Sequence, residues 1–118
     1  MNFQENLART VQNIPGALAL SLIGMDGIRI ESVVHTDAVD MDNLSAELTT
    51  FIRNLTMANA DLRLGKLQQM ALLSQAYTSI ISSVTDEYYL LCVLDRQEYF
   101  GKARYELKKL ALRLGEEF

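Results

Sequence analysis

Apolar residues along this chain switch between helical and strand spacing, and the switches divide it into eight elements. Phe3, Leu7, Val11 and Ile14 recur every three or four residues and trace one stripe of a helix over roughly residues 2 to 13. Pro15-Gly16 stops it. Gly16 to Ile23 then alternates, with Leu18, Leu20 and Leu22 pointing one way. Ala17, Ala19 and Ser21 give a smooth opposite face on which a helix can lie close. Met25-Asp26-Gly27 leads into a second strand-like run, Ile28 to Val34, and Asp-Gly between two such runs predicts a hairpin, because glycine takes the positive φ of a tight turn. Arg29 and Glu31 are expected on the wetter face of the returning strand.

His35 to Asn43 reads as a connector carrying Asp37, Asp40 and Asp42, with Asp42 or Asn43 as the N-cap of the next helix. Leu44, Leu48, Phe51, Ile52, Leu55, Ala58 and Leu62 mark the core stripe of that helix, about residues 43 to 62. A second stripe runs beside it: Ala46, Thr50, Arg53, Met57, Ala60. Small residues and a methionine at this spacing suit close contact with another helix. Gly65 ends the helix, and three strand candidates follow: Lys66 to Ser74, Tyr77 to Val84, and Tyr88 to Asp95. Their connections are too short for a parallel crossover, so they form an antiparallel meander. The last of the three is apolar on both faces and should be central. Lys66 to Ser74 looks like an edge. Phe100, Ala103, Leu107, Leu110, Ala111 and Leu114 trace a final helix over about residues 98 to 115, with Lys102, Arg104, Lys108, Lys109 and Arg113 around its outside.

The order α-β-β-α-β-β-β-α predicts an α+β fold: a five-stranded antiparallel sheet sandwiched between helices, the terminal two on one face and the middle one on the other. No internal repeat or linker interrupts it, so residues 1–118 read as a single domain. The hydrophobic fraction of 49% and charged fraction of 22% are those of a globular chain. A single cysteine, Cys92, lies within the run Tyr88 to Leu94 and behaves as a small hydrophobe. With no basic, apolar leader and no apolar stretch of membrane-spanning length, the expectation is a cytoplasmic protein without membrane insertion. The net charge of −4 argues against nucleic-acid binding, although the bases gather from Arg96 onward.

The residues that carry catalysis are scarce. One histidine, His35, and one cysteine do not make the usual closed zinc sets, and Asp37, Asp40 and Asp42 lack the glycine and terminal glutamate of a calcium loop. No glycine-rich phosphate loop is present. The chain is therefore expected to be no enzyme, with no metal, no cofactor and no catalytic residue.

Surfaces are the more informative part. The edge Lys66 to Ser74 carries one charge, and an edge with unpaired backbone groups must be covered, charged or paired. Together with the second stripe of the middle helix it predicts a homodimer interface of Ala46, Thr50, Met57, Ala60, Gln68, Gln69, Met70 and Leu72.

The run from Val11 to Gly27, with its helix ending in Ile14-Pro15-Gly16 and its hairpin turning through Asp26-Gly27, resembles the opening of the roadblock / dynein light chain family. The element order resembles that family over essentially the whole chain, a profilin-like architecture. The resemblance implies a non-catalytic dimeric module that binds and regulates a small Ras-like GTPase, as the bacterial MglB-like regulators do. It implies a dimer through the middle helix and third strand, with Glu47, Arg53 and Asn54, beside Thr50 and Met57, offered to the GTPase. Arg53 is either a GTPase contact or part of the dimer. Two alternatives stay open: a scaffold or motor-associated adaptor that leaves hydrolysis untouched, and a small-ligand sensor with an apolar cavity between sheet and helix.

Overall fold

The computed structural model describes residues 2–95 and 97–118; Met1 and Arg96, the latter counted among the C-terminal bases, lie outside the described residues. Helix α1 (Phe3–Gln12) begins where Asn2 accepts the Glu5 N–H at 3.1 Å. Pro15 and Gly16, at φ +83°, turn the chain into β1 (Ala17–Gly24). The hairpin to β2 (Arg29–Val34) closes through Gly24 N–H to Ile28 O at 3.0 Å, with Gly27 at φ +85° and Asp26 Oδ1 accepting from Ile28 N. The long helix α2 (Met41–Asp61) leads to β3 (Gln69–Leu73), β4 (Thr78–Ser83) and β5 (Tyr88–Leu94). A 3₁₀ turn, Gln97–Tyr99, opens α3 (Phe100–Gly115).

The five strands form one antiparallel sheet in the order β2-β1-β5-β4-β3. As expected, β5 is central and the terminal helices share a face, α1 across β1 and β2, α3 across β4 and β5. Leu20, Leu22, Ile80, Leu90 and Cys92 point into that layer and meet Leu7, Val11, Leu107, Leu110 and Leu114. On the other face, Ala19, Ile23, Ile81, Tyr89, Leu91 and Val93 meet Met41, Leu48 and Ile52 of α2. Ala19 and Ser21 therefore lie on the α2 side, as their alternation predicts, but an irregularity in the β1–β5 pairing between Ala17 and Ala19 puts Ala17 on the α1/α3 side instead.

Several details differ from the sequence expectation. The α2 N-cap is Asp40, not Asp42 or Asn43: Asp40 Oδ1 accepts from Asn43 N at 3.1 Å, which lets the helix start at Met41, ahead of the expected residue 43, and buries Met41. Only the first half of α2 packs on the sheet. Phe51, Ala58 and Leu62, assigned to the core stripe, are exposed, and the buried line is instead Met41, Ser45, Leu48, Thr49 and Ile52. Arg29 and Glu31 do not share a face. The pairing slips from Leu22↔Glu31 to Ile23↔Arg29, a bulge at Ile30 that turns Arg29 toward α2, where it pairs with Asp42 at 2.8 Å. The third strand is shorter than Lys66 to Ser74, and the last helix starts at Phe100 rather than 98.

A buried polar cluster fixes α2 on β5. Thr49 Oγ1 lies 2.7 Å from Tyr89 Oη and also donates to Ser45 O at 2.7 Å, while Tyr89 Oη lies 3.2 Å from the same carbonyl. Burial raises the Tyr89 pKa, and the Thr49 hydrogen bond offsets this in part. The neutral phenol is thus favoured in the folded state. Below the ordinary value of 10.0 the stabilisation is fully present, and it is lost as pH rises beyond it, because the unfolded chain releases its proton first. Tyr89→Phe should cost about 1 kcal/mol, and should lessen the fall in melting temperature above about pH 10; thermal melts across that pH range measure both. Burial likewise pushes the Cys92 thiol up to about 12. Cys92 should therefore resist alkylation in the native protein and react only on unfolding, as thiol-reagent kinetics with and without denaturant will read.

Candidate functional site

Ile52 is the last buried residue of α2, so the second half of the helix carries its side chains at the surface on every side but that of Leu55 and Asn59. The outward residues fall into two lines. Ala46, Thr50, Arg53, Met57 and Ala60 form one by helical spacing, and Glu47, Phe51, Asn54 and Ala58 form the other. All of these are exposed. Thr50 Oγ1 turns back to Ala46 O at 3.4 Å. Met57 is 62% and Phe51 54% exposed, an unusual state for side chains of this size without a partner. Leu62 and Leu64, just beyond the helix, are exposed as well.

The first line runs past the β1–β2 hairpin. A Cβ placed on Gly27 would lie 3.8 Å from Ala46 Cα, so the turn sits directly against the start of α2. Arg53 reaches the same turn and donates from its guanidinium to Met25 O. That bond holds the arginine toward the hairpin, away from Glu47 and Asn54 on the other line. The three residues assigned to a GTPase contact are thus divided between the two flanks of the helix.

Strand β3 is an edge, hydrogen-bonded on one side to β4. Its residues alternate between layers. Gln69 and Ala71 face α3, where Gln69 Nε2 donates to Arg104 O at 2.9 Å and Gln69 Oε1 accepts from Arg104 Nε at 3.3 Å. Met70 packs half-buried on the α2-side cluster, and Leu72 shares its face by alternation. Gln68 is exposed and precedes the strand, but its carbonyl still accepts from Ser83 N at 2.9 Å. Lys66, the nearest charge, is paired with Asp86 at 3.2 Å. The exposed half of α2, with Met57 and Ala60, and the strand edge, with Met70 and Leu72, thus belong to one side of the sheet.

Phe51, Leu62, Leu64 and Leu73 are surface apolar residues that the sequence reading did not assign to the site. For Phe51 the signal was present in the spacing, since it lies four residues from Glu47 and three from Asn54, on the polar flank.

The other edge, β2, is lined by shallow open depressions. Gly27, Ile28, Arg29, Ile30, Ser32 and Asp42 border one, and Val34, Asp37, Val39 and Asp40 border its neighbour. The space between sheet and helices, which a ligand sensor would need, is filled by the two side-chain clusters. His35 is exposed, and among the described residues no three of the histidine, cysteine, aspartate and glutamate side chains are placed to hold a metal ion. Among the same residues no helix is long and apolar enough to cross a membrane.

No protein-family model matches the chain, and no curated relative does. Solved structures do. MglB of Myxococcus xanthus superposes with a TM-score of 0.85 at 16% identity, covering 100% of this chain and 98% of that one. A Roadblock/LC7 domain from Streptomyces avermitilis gives 0.83 at 16% identity over 97% of this chain and 95% of that one. MglC from Myxococcus xanthus gives 0.69 at 27% identity, with 100% of both chains covered. By its element order, its sheet order and the two-against-one division of its helices, the chain has the roadblock fold, in the form seen in MglB.

Proposed function

We propose that this chain is a non-catalytic homodimeric module that binds a small Ras-like GTPase and modulates its nucleotide cycle or its location in the cytoplasm. The observation that carries the reading is the exposed second half of α2, with Met57 and the small residues Ala58 and Ala60, lying on the same side of the sheet as the β3 edge. An exposed helix stripe and an edge strand are each self-complementary under a twofold, so a second copy covers both at once. The likeness to MglB and to a Roadblock/LC7 domain supports the choice of partner, together with the sequence resemblance.

Within this reading Met57, Ala60, Gln68, Met70 and Leu72 are the dimer contacts, continued by Thr50 and Ala46 toward the hairpin. Glu47, Phe51 and Asn54 lie on the flank open to a GTPase. Arg53, held by Met25 O, acts as a positioning residue for the hairpin rather than as an arginine finger. A GTPase whose switch loops are ordered by the γ-phosphate offers this flank a different surface in each nucleotide state, and the difference in affinity is what couples binding to the cycle.

Sedimentation should give about 27 kDa, twice the 13.3 kDa chain, at micromolar concentration. Met57→Asp and, separately, Leu72→Asp should yield folded monomers, because both side chains are already exposed within one copy. A monomeric wild-type protein would remove the interface.

The GTPase contact is tested by titrating a Ras-like GTPase in its two nucleotide states. Binding should favour one state, and Glu47→Lys or Asn54→Ala should weaken it about tenfold with the dimer mass intact. Arg53→Ala should change turnover by less than about tenfold, where an arginine finger would cost about a thousandfold or more. Equal affinity for both states would reduce the protein to a scaffold.

A further inference from the structure

The solvent face of α3 departs in charge from the rest of the chain. The helix holds five bases and one acid, leaving six bases and fourteen acids elsewhere. The acid, Glu106, is buried and paired with Lys109 at 3.3 Å. The two arginines are turned to neighbours within the fold: Arg104 to Gln69, and Arg113 Nη1 to Asn6 Oδ1 at 3.3 Å. Lys102 and Lys108 have no ion pair among the described residues. Between the lysines stand Tyr105 and Leu112, seven residues apart and 63% and 68% exposed. Lys109 leans over the Tyr105 ring, 5.1 Å from its centroid. Helical spacing places Tyr105 and Leu112 on the outermost line of the helix, with Lys102 and Lys109 on one flank and Lys108 on the other.

The core does not require this pattern, since Ala103, Leu107, Leu110, Ala111 and Leu114 already fill the inner face. We propose that the outer face of α3 docks the protein on an anionic lipid surface. Tyr105 and Leu112 would sit at headgroup depth, and the lysines against lipid phosphates and carboxylates. The surface is a convex ridge, which fits a plane. Its outward charges are lysines, compact and mobile, suited to a diffuse anionic layer; the forked guanidinium groups that grip one carboxylate are the ones occupied inside the fold. On the opposite layer α2 carries Asp42, Glu47 and Asp61 against one base, Arg53, so docking is also oriented.

The proposed dimer adds valency. Antiparallel joining of two β3 edges sets the twofold perpendicular to the sheet, which keeps both α1/α3 layers on one side and both α2 helices on the other. Two α3 ridges then meet the lipid together, with the α2 surface facing away from it. Only this valency rests on the dimer reading.

The test is co-sedimentation of the full chain with vesicles of phosphatidylcholine alone and of phosphatidylcholine carrying about 30% phosphatidylserine, at low and at about 0.15 M salt. The expected result is pelleting with the phosphatidylserine vesicles only, weakening with salt. Lys102→Glu with Lys108→Glu should reduce it at least about tenfold at unchanged melting temperature. Leu112→Ser should give a smaller loss. Pelleting with neither vesicle, as an acidic protein partner for α3 would give, overturns the proposal, as does equal pelleting with both or indifference to the lysine reversals. Mass measured on the same samples keeps the two readings apart. A monomer that still pellets with phosphatidylserine and loses this on lysine reversal upholds lipid docking without the dimer, and a dimer that does not pellet overturns docking alone.

Discussion

Strand β5 is buried on both faces from Tyr89 through Leu94, and such a strand is stable only when covered from both sides and flanked at both edges. Much of the molecule follows from that demand. Strands β1 and β4 supply the flanks, α1 and α3 close one face, and α2 closes the other. The Tyr89 hydroxyl enters the dry α2 side, where it would be costly if unsatisfied. Thr49 and Ser45 meet it, and in doing so they fix which turns of α2 touch the sheet. Because that attachment lies in the first half of the helix, the second half stays largely at the surface.

The two layers are therefore unequal, two helices against one, and the under-covered side is where the edge strands behave differently. On β2 a bulge at Ile30 and the Arg29–Asp42 ion pair blunt the edge. On β3 the strand itself, Gln69–Leu73, has no charged residue, and its neighbour Lys66 is tied to Asp86. The asymmetry gives the proposed self-association a direction, toward β3 rather than β2.

The architecture was legible in the sequence because alternation and helical spacing are directly tied to burial. Leu20 and Leu22 against Ala19 and Ile23 already separate the two layers, and Asp26-Gly27 names its own turn. What the pattern does not carry is where a helix stops touching its sheet. Phe51 fits the spacing of Leu48 and Ile52 nearly as well as that of Glu47 and Asn54, and only the anchoring by Thr49 and Tyr89 decides that it is outside. The bulge at Ile30 was hidden for a similar reason, since one inserted residue shifts the faces without altering the composition of the strand. Asp40, Asp42 and Asn43 are all able to cap, and the burial of Met41 selects among them. For the candidate site, the stripe and the edge were visible as residue lists, whereas the division of Arg53 from Glu47 and Asn54 depends on the Met25 carbonyl of a turn distant in sequence.

The sheet order also sets the sequence in which the chain can assemble. The strands β3, β4 and β5 are joined by connections of a few residues, so their contacts cost little chain entropy and can form early. Strand β1 must then find β5 across about seventy residues, and neither central strand has its second neighbour until it does. Until that pairing closes, the strand that ends up buried on both faces is an open edge. The slow step of folding and the period of greatest risk of misassociation are consequently the same event, the arrival of the β1–β2 hairpin at β5.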